Sequence, residues 1–331
     1  MKVGYLPEIK WVEFLQKVIV EYEVTAPVKT GCFSDYSEIS MDNVGKINYT
    51  GNTTTTPLKV FFFPFKENVM QESAKKMRVL LGVSNCDLVS LDLLDNIYLG
   101  GELADHCYKE HRANTIVIGK DCDEIKDSCH CVSYGLKPYS EKNCDVSLSV
   151  SDGYYYLLAM SDKGEAFLDK FGIYQGETLD SLPDQLIRNR NAMIDKLNEQ
   201  NKDIPDEKAS RSGILRGDKE IWKKHASRCV SCGACSLICP TCHCFLLTDR
   251  HDFEKVKNWD VCQLPGFSRV AAGEDPLEKL GERLKERYLC KFVYKPDMFH
   301  ALACTGCGRC IDACIGKINK NEVVIEVCQQ G

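Results

Sequence analysis

The chain has 331 residues, of which 44% are hydrophobic and 27% charged, and its formal net charge is −6. A chain of this length can form two or three compact regions of roughly 100–150 residues each, and its composition excludes wholesale disorder. Acidic and basic residues are mixed, which excludes the strongly basic surface of a nucleic-acid-binding protein. The sequence has no run approaching the roughly 20 apolar residues of a membrane-spanning helix. We therefore expect neither nucleic acid nor a membrane as a partner.

Cysteine is the residue type that departs from an ordinary composition, with 20 in the chain. The first residues, MKVGYLPEIKWVEF, lack the basic segment and the apolar core of an export signal. We therefore expect a cytoplasmic protein, in which thiols stay reduced and clustered cysteines bind metal rather than form disulfides.

Residues 1–180 have the pattern of a mixed α/β domain. The predicted elements are a helix at 8–21, strands at 60–63, 79–83, 115–118 and 154–159, a second helix at 91–98, and a turn or loop at 53–57. Residues 181–222 are rich in Asp, Arg, Asn and Lys, with Leu and Ile at helical intervals in DQLIRNRNAMIDKL. This segment is predicted to be a partly helical connector.

Four cysteines of the first region follow two of the predicted strands. Cys86 follows the strand at 79–83, and Cys122, Cys129 and Cys131 follow the strand at 115–118. Loops at the ends of neighbouring strands commonly build sites, so we predict a third [4Fe-4S] cluster here. The alternative is that one or two of these thiols are only buried small side chains. His130, between two of them, is an alternative ligand, but we expect it to be exposed.

Residues 223–331 contain a cysteine pattern that occurs twice. The run C-x2-C-x2-C-x3-C is formed by Cys229, Cys232, Cys235 and Cys239, and again by Cys304, Cys307, Cys310 and Cys314. In such runs three thiolates hold one [4Fe-4S] cluster and the fourth reaches the other cluster. The predicted ligands are Cys229, Cys232, Cys235 and Cys314 for cluster 1, and Cys239, Cys304, Cys307 and Cys310 for cluster 2. Zinc is disfavoured, because it usually takes two separated C-x2-C pairs.

Glycines within both runs fit the same prediction. Gly233, Gly306 and Gly308 supply the positive φ angles and close backbone approach that wrapping around a cluster requires. Pro240 follows the first run, as in bacterial ferredoxins, whereas Ile315 takes that position in the second. Proline is not a ligand, so this difference leaves the prediction unchanged.

Further cysteines exceed what two clusters need. Cys242, Cys244 and Cys262 either hold another metal with a ligand from elsewhere or, as we favour, lie near cluster 1 and tune it. The remaining cysteines are isolated in sequence and are expected to be free thiols: Cys32, Cys107, Cys144, Cys290 and Cys328. The chain has no G-x-G-x-x-G after a strand and no P-loop motif. A nicotinamide donor would therefore need a flavin on another polypeptide to split its electron pair.

With these residues in view, the chain resembles a family of iron-sulfur subunits found in cytosolic nickel-iron sulfhydrogenases, where it is the beta subunit, and in anaerobic sulfite reductase. The segments that carry the resemblance are APVK (26–29), CDLVSLDLLDNIYLGG (86–101), CDEIKDSCHCVSYG (122–135), CVSCGACSLICPTCHCF (229–245), WDVCQ (259–263) and CTGCGRCIDAC (304–314). The resemblance implies a relay of single electrons between a flavin subunit that binds NAD(P)H and a catalytic subunit, in anaerobic metabolism. APVK and FFFPF (61–65) favour the hydrogenase.

These observations predict an α+β protein. An N-terminal mixed α/β domain (1–180) is followed by a helical connector (181–222) and a ferredoxin-like domain with two [4Fe-4S] clusters (223–331). The predicted function is that of an electron-transfer subunit, not catalytic alone. One alternative is an enzyme that works without partners. Another is a redox sensor that responds through Cys122, Cys129 and Cys131.

Overall fold

The computed structural model of the chain describes residues 2–31, 33–49, 51, 53–70, 76–176 and 178–329. In chain order its strands are β1 (Val3–Pro7), β2 (Glu23–Thr30), β3 (Phe33–Ile39), β4 (Lys66–Asn68), β5 (Arg78–Ser84), β6 (Thr115–Lys120), β7 (Val146–Ser151), β8 (Tyr154–Ala159), β9 (Thr178–Leu179), β10 (Phe245–Asp249) and β11 (Lys255–Trp259). None of the helices formed by these described residues is long and apolar enough to cross a bilayer.

The α-helices of the same residues fall mostly after residue 180. They are α1 (Glu8–Glu21), α2 (Asn85–Tyr98), α3 (His106–Ala113), α4 (Asp162–Lys170), α5 (Asp184–Gln200), α6 (Glu207–Arg216), α7 (Lys219–Ala226), α8 (Ala234–Leu237), α9 (Leu280–Leu289), α10 (Lys295–Phe299), α11 (Arg309–Asp312) and α12 (Lys320–Gln329). A π-helical turn, Cys290–Tyr294, joins α9 to α10.

The larger sheet has the strand order β3-β2-β5-β6-β7-β8-β1-β9. Its central strands β2, β5, β6 and β7 run parallel. Strands β5 and β6 are almost entirely buried, as expected for parallel strands that are covered on both faces. Successive side chains alternate between the faces: Val79 and Ile116 pack with α1, while Leu80 and Val117 pack with α2.

The C-terminal helices form a core of their own. Trp222 of α7, Tyr288 of α9 and Val324 of α12 are buried together with Ile214 of α6. This core contacts the first region through Tyr134, which packs edge-on against Phe292. The helices therefore provide the wall against which the two cysteine runs lie.

Two features join the first region to the cysteine-rich part. Strand β4 pairs with β11, giving a three-stranded sheet of order β10-β11-β4. The Arg309 guanidinium makes a two-bond salt bridge to the Asp87 carboxylate, and both side chains are buried. The predicted domain boundaries remain a prediction, but the two ends of the chain share hydrogen bonds and buried charge.

The mixed α/β fold class and the C-terminal dicluster region are confirmed. Helix α1 and strand β8 have the predicted bounds, and the helix predicted at 91–98 begins earlier, at Asn85. The strand predicted at 60–63 is wrong, because Leu58–Phe61 is a 3-10 helix. Pro57 and Pro64 flank this segment and cannot donate to a ladder, and Phe62 and Phe63 are buried.

Candidate metal centre

The two cysteine runs have the same local backbone. In each, a glycine with positive φ, Gly233 (72°) or Gly308 (76°), precedes a single helical turn, α8 or α11. Gly306 also has the predicted positive φ, at 65°. These left-handed glycines reverse the chain sharply, so that the thiols of each run lie around one loop.

Cluster 1 is predicted to lie where four thiols line one cavity. Cys229, Cys232, Cys235 and Cys314 all line it, and Cys310 reaches it from the second run. The Ser231 amide donates to the Cys229 sulfur at 3.4 Å, and the Ile318 amide donates to the Cys314 sulfur at 3.2 Å. Amide donors to sulfur stabilise the thiolate form that a cluster requires.

The thiols predicted for cluster 2 lie beside this cavity. Burial raises the pKa of Cys307 to about 12, and the nearby thiols of Cys239 and Cys310 contribute to the rise. The Lys320 ammonium lies 3.9 Å from the Cys304 sulfur and donates to the Tyr134 hydroxyl at 2.6 Å. Because metal binding replaces protons on thiols, such a set of buried thiols is suited to iron rather than to persisting as free thiolates.

A row of buried cations runs beside both sites. Arg283, Arg287, Lys291 and Lys295 are all buried. Residues four apart lie on one side of a helix, and this side of α9 and the π-helical turn contacts the first cysteine run. The Arg287 guanidinium donates to the Cys235 carbonyl at 2.9 Å, and the Arg283 guanidinium donates to the Ser231 hydroxyl at 3.3 Å.

Lys291 makes the most direct of these contacts. Its ammonium donates to the Cys239 sulfur at 3.0 Å, to the Thr241 hydroxyl at 2.9 Å and to the Ala303 carbonyl at 3.3 Å. Burial lowers the pKa of Lys291, but the thiolates of Cys239 and Cys242 outweigh burial and hold this pKa well above its usual value. Buried charges need compensation, so these cations match the negative charge of iron bound by thiolates. Sequence reasoning missed the row, although its four-residue spacing was visible.

The third site lies at the carboxyl ends of the parallel strands β5 and β6. The last residues of the two strands are paired across the sheet, so the segments that follow begin side by side. Cys86 follows β5, and Cys122, Cys129 and Cys131 follow β6; all four thiols line one cavity. The structure thus brings together the four cysteines predicted for cluster 3. It also corrects the expectation for His130, which is buried, with its Nδ1 2.7 Å from the Ser128 carbonyl.

The second and third sites share a wall. Cys307 lines the third cavity together with the four thiols. A Cβ at Gly306 would lie 2.5 Å from the Cys131 backbone, and one at Gly308 would lie 2.4 Å from the Ser128 hydroxyl. The His130 amide donates to the Gly306 carbonyl at 2.9 Å. Only glycines allow the two loops to approach this closely.

The additional cysteines divide into two groups. Cys242 hydrogen-bonds Cys239, and this bond is the largest cause of a Cys239 pKa well below its usual value. Cys244 and Cys262 instead lie near each other. Cys144 and Cys328 are free thiols, as predicted, Cys107 is buried in α3, and Cys32 lies outside the described residues.

The donor set fits iron-sulfur clusters. Among the described residues, no group of three or more His, Cys, Asp or Glu side chains is arranged around a single metal ion. A cubane does not need that arrangement, because each thiolate binds a different iron. Three neighbouring sets of four cysteines are therefore chemically matched to [4Fe-4S] clusters, with the buried cations offsetting their negative charge.

Comparison with known proteins agrees with this chemistry. Residues 228–318 match the family of 4Fe-4S dicluster domains. The chain is thus an iron-sulfur protein whose C-terminal part is a 4Fe-4S dicluster domain. Over 334 aligned positions it is 28% identical to the sulfhydrogenase 2 subunit beta of Pyrococcus furiosus, and the alignment covers 95% of each chain. The resemblance predicted from the sequence is confirmed, and the chain is an iron-sulfur electron-transfer subunit.

Proposed function

We propose that this chain relays single electrons, in the cytoplasm, between a reductase subunit that binds flavin and NAD(P)H and a catalytic subunit of the nickel-iron hydrogenase type. Its own ligands would hold three [4Fe-4S] clusters. The proposed sets are Cys229, Cys232, Cys235 and Cys314 for cluster 1, Cys239, Cys304, Cys307 and Cys310 for cluster 2, and Cys86, Cys122, Cys129 and Cys131 for cluster 3.

The contiguity of the three sites is the observation that supports this proposal. Cys310, assigned to cluster 2, lines the cavity of cluster 1, and Cys307, also assigned to cluster 2, lines the cavity of cluster 3. The assigned ligands therefore form one continuous series, with cluster 2 in the middle. The sequence offers no nucleotide-binding motif, so the two-electron chemistry of a nicotinamide belongs to a partner.

An iron count tests the number of clusters. Anaerobically purified full-length protein should contain about 12 irons and as many sulfides per chain if three cubanes are present, and about eight if there are two. Cys122→Ala should remove about four irons and leave the paramagnetic signals of the remaining clusters coupled. Cys144→Ala is the matched control, because Cys144 is buried away from the three cavities, and it should retain full iron. Equal iron in both variants would refute cluster 3.

Copurification tests the partners. The chain, tagged and isolated anaerobically from its own cells, should bring down one polypeptide with flavin and another with nickel. A sirohaem protein in place of the nickel protein would instead identify the sulfite reductase alternative. The name of the relative favours the nickel protein. The isolated chain should neither evolve hydrogen nor reduce sulfite; either activity without partners would overturn the relay. Partner binding that changes on oxidation would favour the redox-sensor alternative.

A further inference from the structure

Three thiols outside the sites described above come from three separate segments of the chain. Cys244 immediately precedes β10, and Cys262 follows β11. These two strands are antiparallel, with Phe245 opposite Trp259. The Asp260 amide continues the pairing by donating to the Cys244 carbonyl at 3.1 Å. Cys262, two residues further on, is thereby held at the open end of the hairpin beside Cys244.

Cys290 reaches the same place from the helical region. The buried Gln263 amide donates to the Arg283 carbonyl of α9 at 2.6 Å and lies 3.6 Å from the Cys262 sulfur. Helix α9 continues directly into the π-helical turn that begins at Cys290. Such turns are rare and are frequent at functional sites.

The residues around Cys290 fix this turn against the segment that contains Cys244. Lys291 donates to the Thr241 hydroxyl at 2.9 Å, and Lys295 donates to the Thr241 carbonyl at 2.6 Å. Thr241 is three residues before Cys244. The proximity is also electrostatic: burial raises the pKa of Cys244, and the thiols of Cys262 and Cys290 are close enough to raise it further.

The charge of Lys295 gives a separate indication of a ligand. Its side chain is buried, and its hydrogen bond goes to a neutral carbonyl. Within the described part of the chain its ammonium makes no ion pair with a carboxylate. A buried cation requires a counter-charge, and Lys295 lies near the Cys244 thiol, whose pKa it lowers.

We propose that Cys244, Cys262 and Cys290 bind a fourth iron-sulfur cluster through three thiolates, with Lys295 compensating its negative charge. Cys242 is not part of this site, because its thiol is hydrogen-bonded to Cys239. The site is independent of the ligand sets assigned to clusters 1 to 3. It corrects the expectation that Cys290 is a free thiol and replaces the tuning role expected for Cys244 and Cys262.

Iron analysis of the full-length protein tests the site. Cys290→Ala and Cys244→Ala should each lower the iron content by about three to four atoms per chain relative to wild type. The double variant should lose the same number rather than twice as many, because both residues serve one cluster. Cys328→Ala is the control: Cys328 is also a half-buried thiol in the helical region, its Sγ contacts the Ala209 carbonyl at 3.3 Å, and it should keep full iron.

The result separates this proposal from the relay proposal. The coupled paramagnetic signals of clusters 1 and 2 should survive in both single variants, which also shows that the variants fold. Iron and sulfide unchanged by Cys290→Ala would overturn the fourth site while leaving the relay intact. Loss of zinc in place of iron would also overturn it. A wild-type protein without iron would instead refute the relay itself.

Discussion

Replacing Lys291 by Met should lower the reduction potential of cluster 2. The substitution removes the ammonium that lies 3.0 Å from the Cys239 sulfur and keeps a side chain of similar length. Adding an electron makes a cluster more negative, so a nearby positive charge stabilises the reduced state. Without that charge, reduction becomes harder and the potential falls.

The magnitude follows from the burial of the ammonium. For a charge separation of about 6 Å and an effective dielectric constant of about 20, the lost attraction is about 3 kcal/mol. A one-electron potential changes by about 59 mV for each 1.4 kcal/mol, so the expected fall is about 100 mV. The Thr241 hydroxyl still donates to the Ala303 carbonyl at 2.6 Å, which keeps the loop in place.

A redox titration followed by electron paramagnetic resonance measures the shift. Lys291→Arg keeps the charge and should stay within about 30 mV of wild type. Lys257→Met controls for the loss of a buried lysine, because Lys257 is buried but pairs with the Asp105 carboxylate at 3.0 Å. A potential that is unchanged or higher in Lys291→Met, with iron content intact, would refute the electrostatic reasoning.

Two further substitutions test the wall between the second and third sites. Gly306→Ala places a Cβ 2.5 Å from the Cys131 backbone at a φ of 65°, so we expect about four irons to be lost; Gly153→Ala has a φ of 77° but open space and should keep them. Arg309→Met leaves the Asp87 carboxylate buried without its cation, which should lower the free energy of unfolding by about 3–5 kcal/mol in chemical denaturation. Adding Asp87→Asn should recover part of that loss, and no recovery would mean that the salt bridge is not the cause.

Local spacing explains why the C-terminal sites were predictable. The runs that begin at Cys229 and Cys304 place their thiols within a few residues of each other, and Gly233 and Gly308 reverse the chain inside them. Such short loops depend little on the rest of the fold. The convergence of Cys86 with Cys122 was also predictable, because parallel strands end at the same edge of a sheet.

Segments governed by distant contacts were not predictable in this way. The aromatic run at 61–63 has the composition of a strand, yet the flanking prolines and the burial of Phe62 and Phe63 place it outside any sheet. His130 is polar and was expected at the surface, but the loop that carries it packs against Gly306. In both cases packing outweighs local preference.

The sequence by itself determined the iron-sulfur chemistry, the two paired motifs and the mixed α/β class, because thiol spacing and hydrophobic periodicity act over short stretches of chain. Only the tertiary structure decided which distant groups surround those thiols: the Lys291 ammonium beside Cys239, the Asp87 carboxylate beneath Arg309, and Cys290 beside Cys244. Such contacts join residues that are about 40 to 220 positions apart, and they form only when helices and sheet bury their apolar faces together.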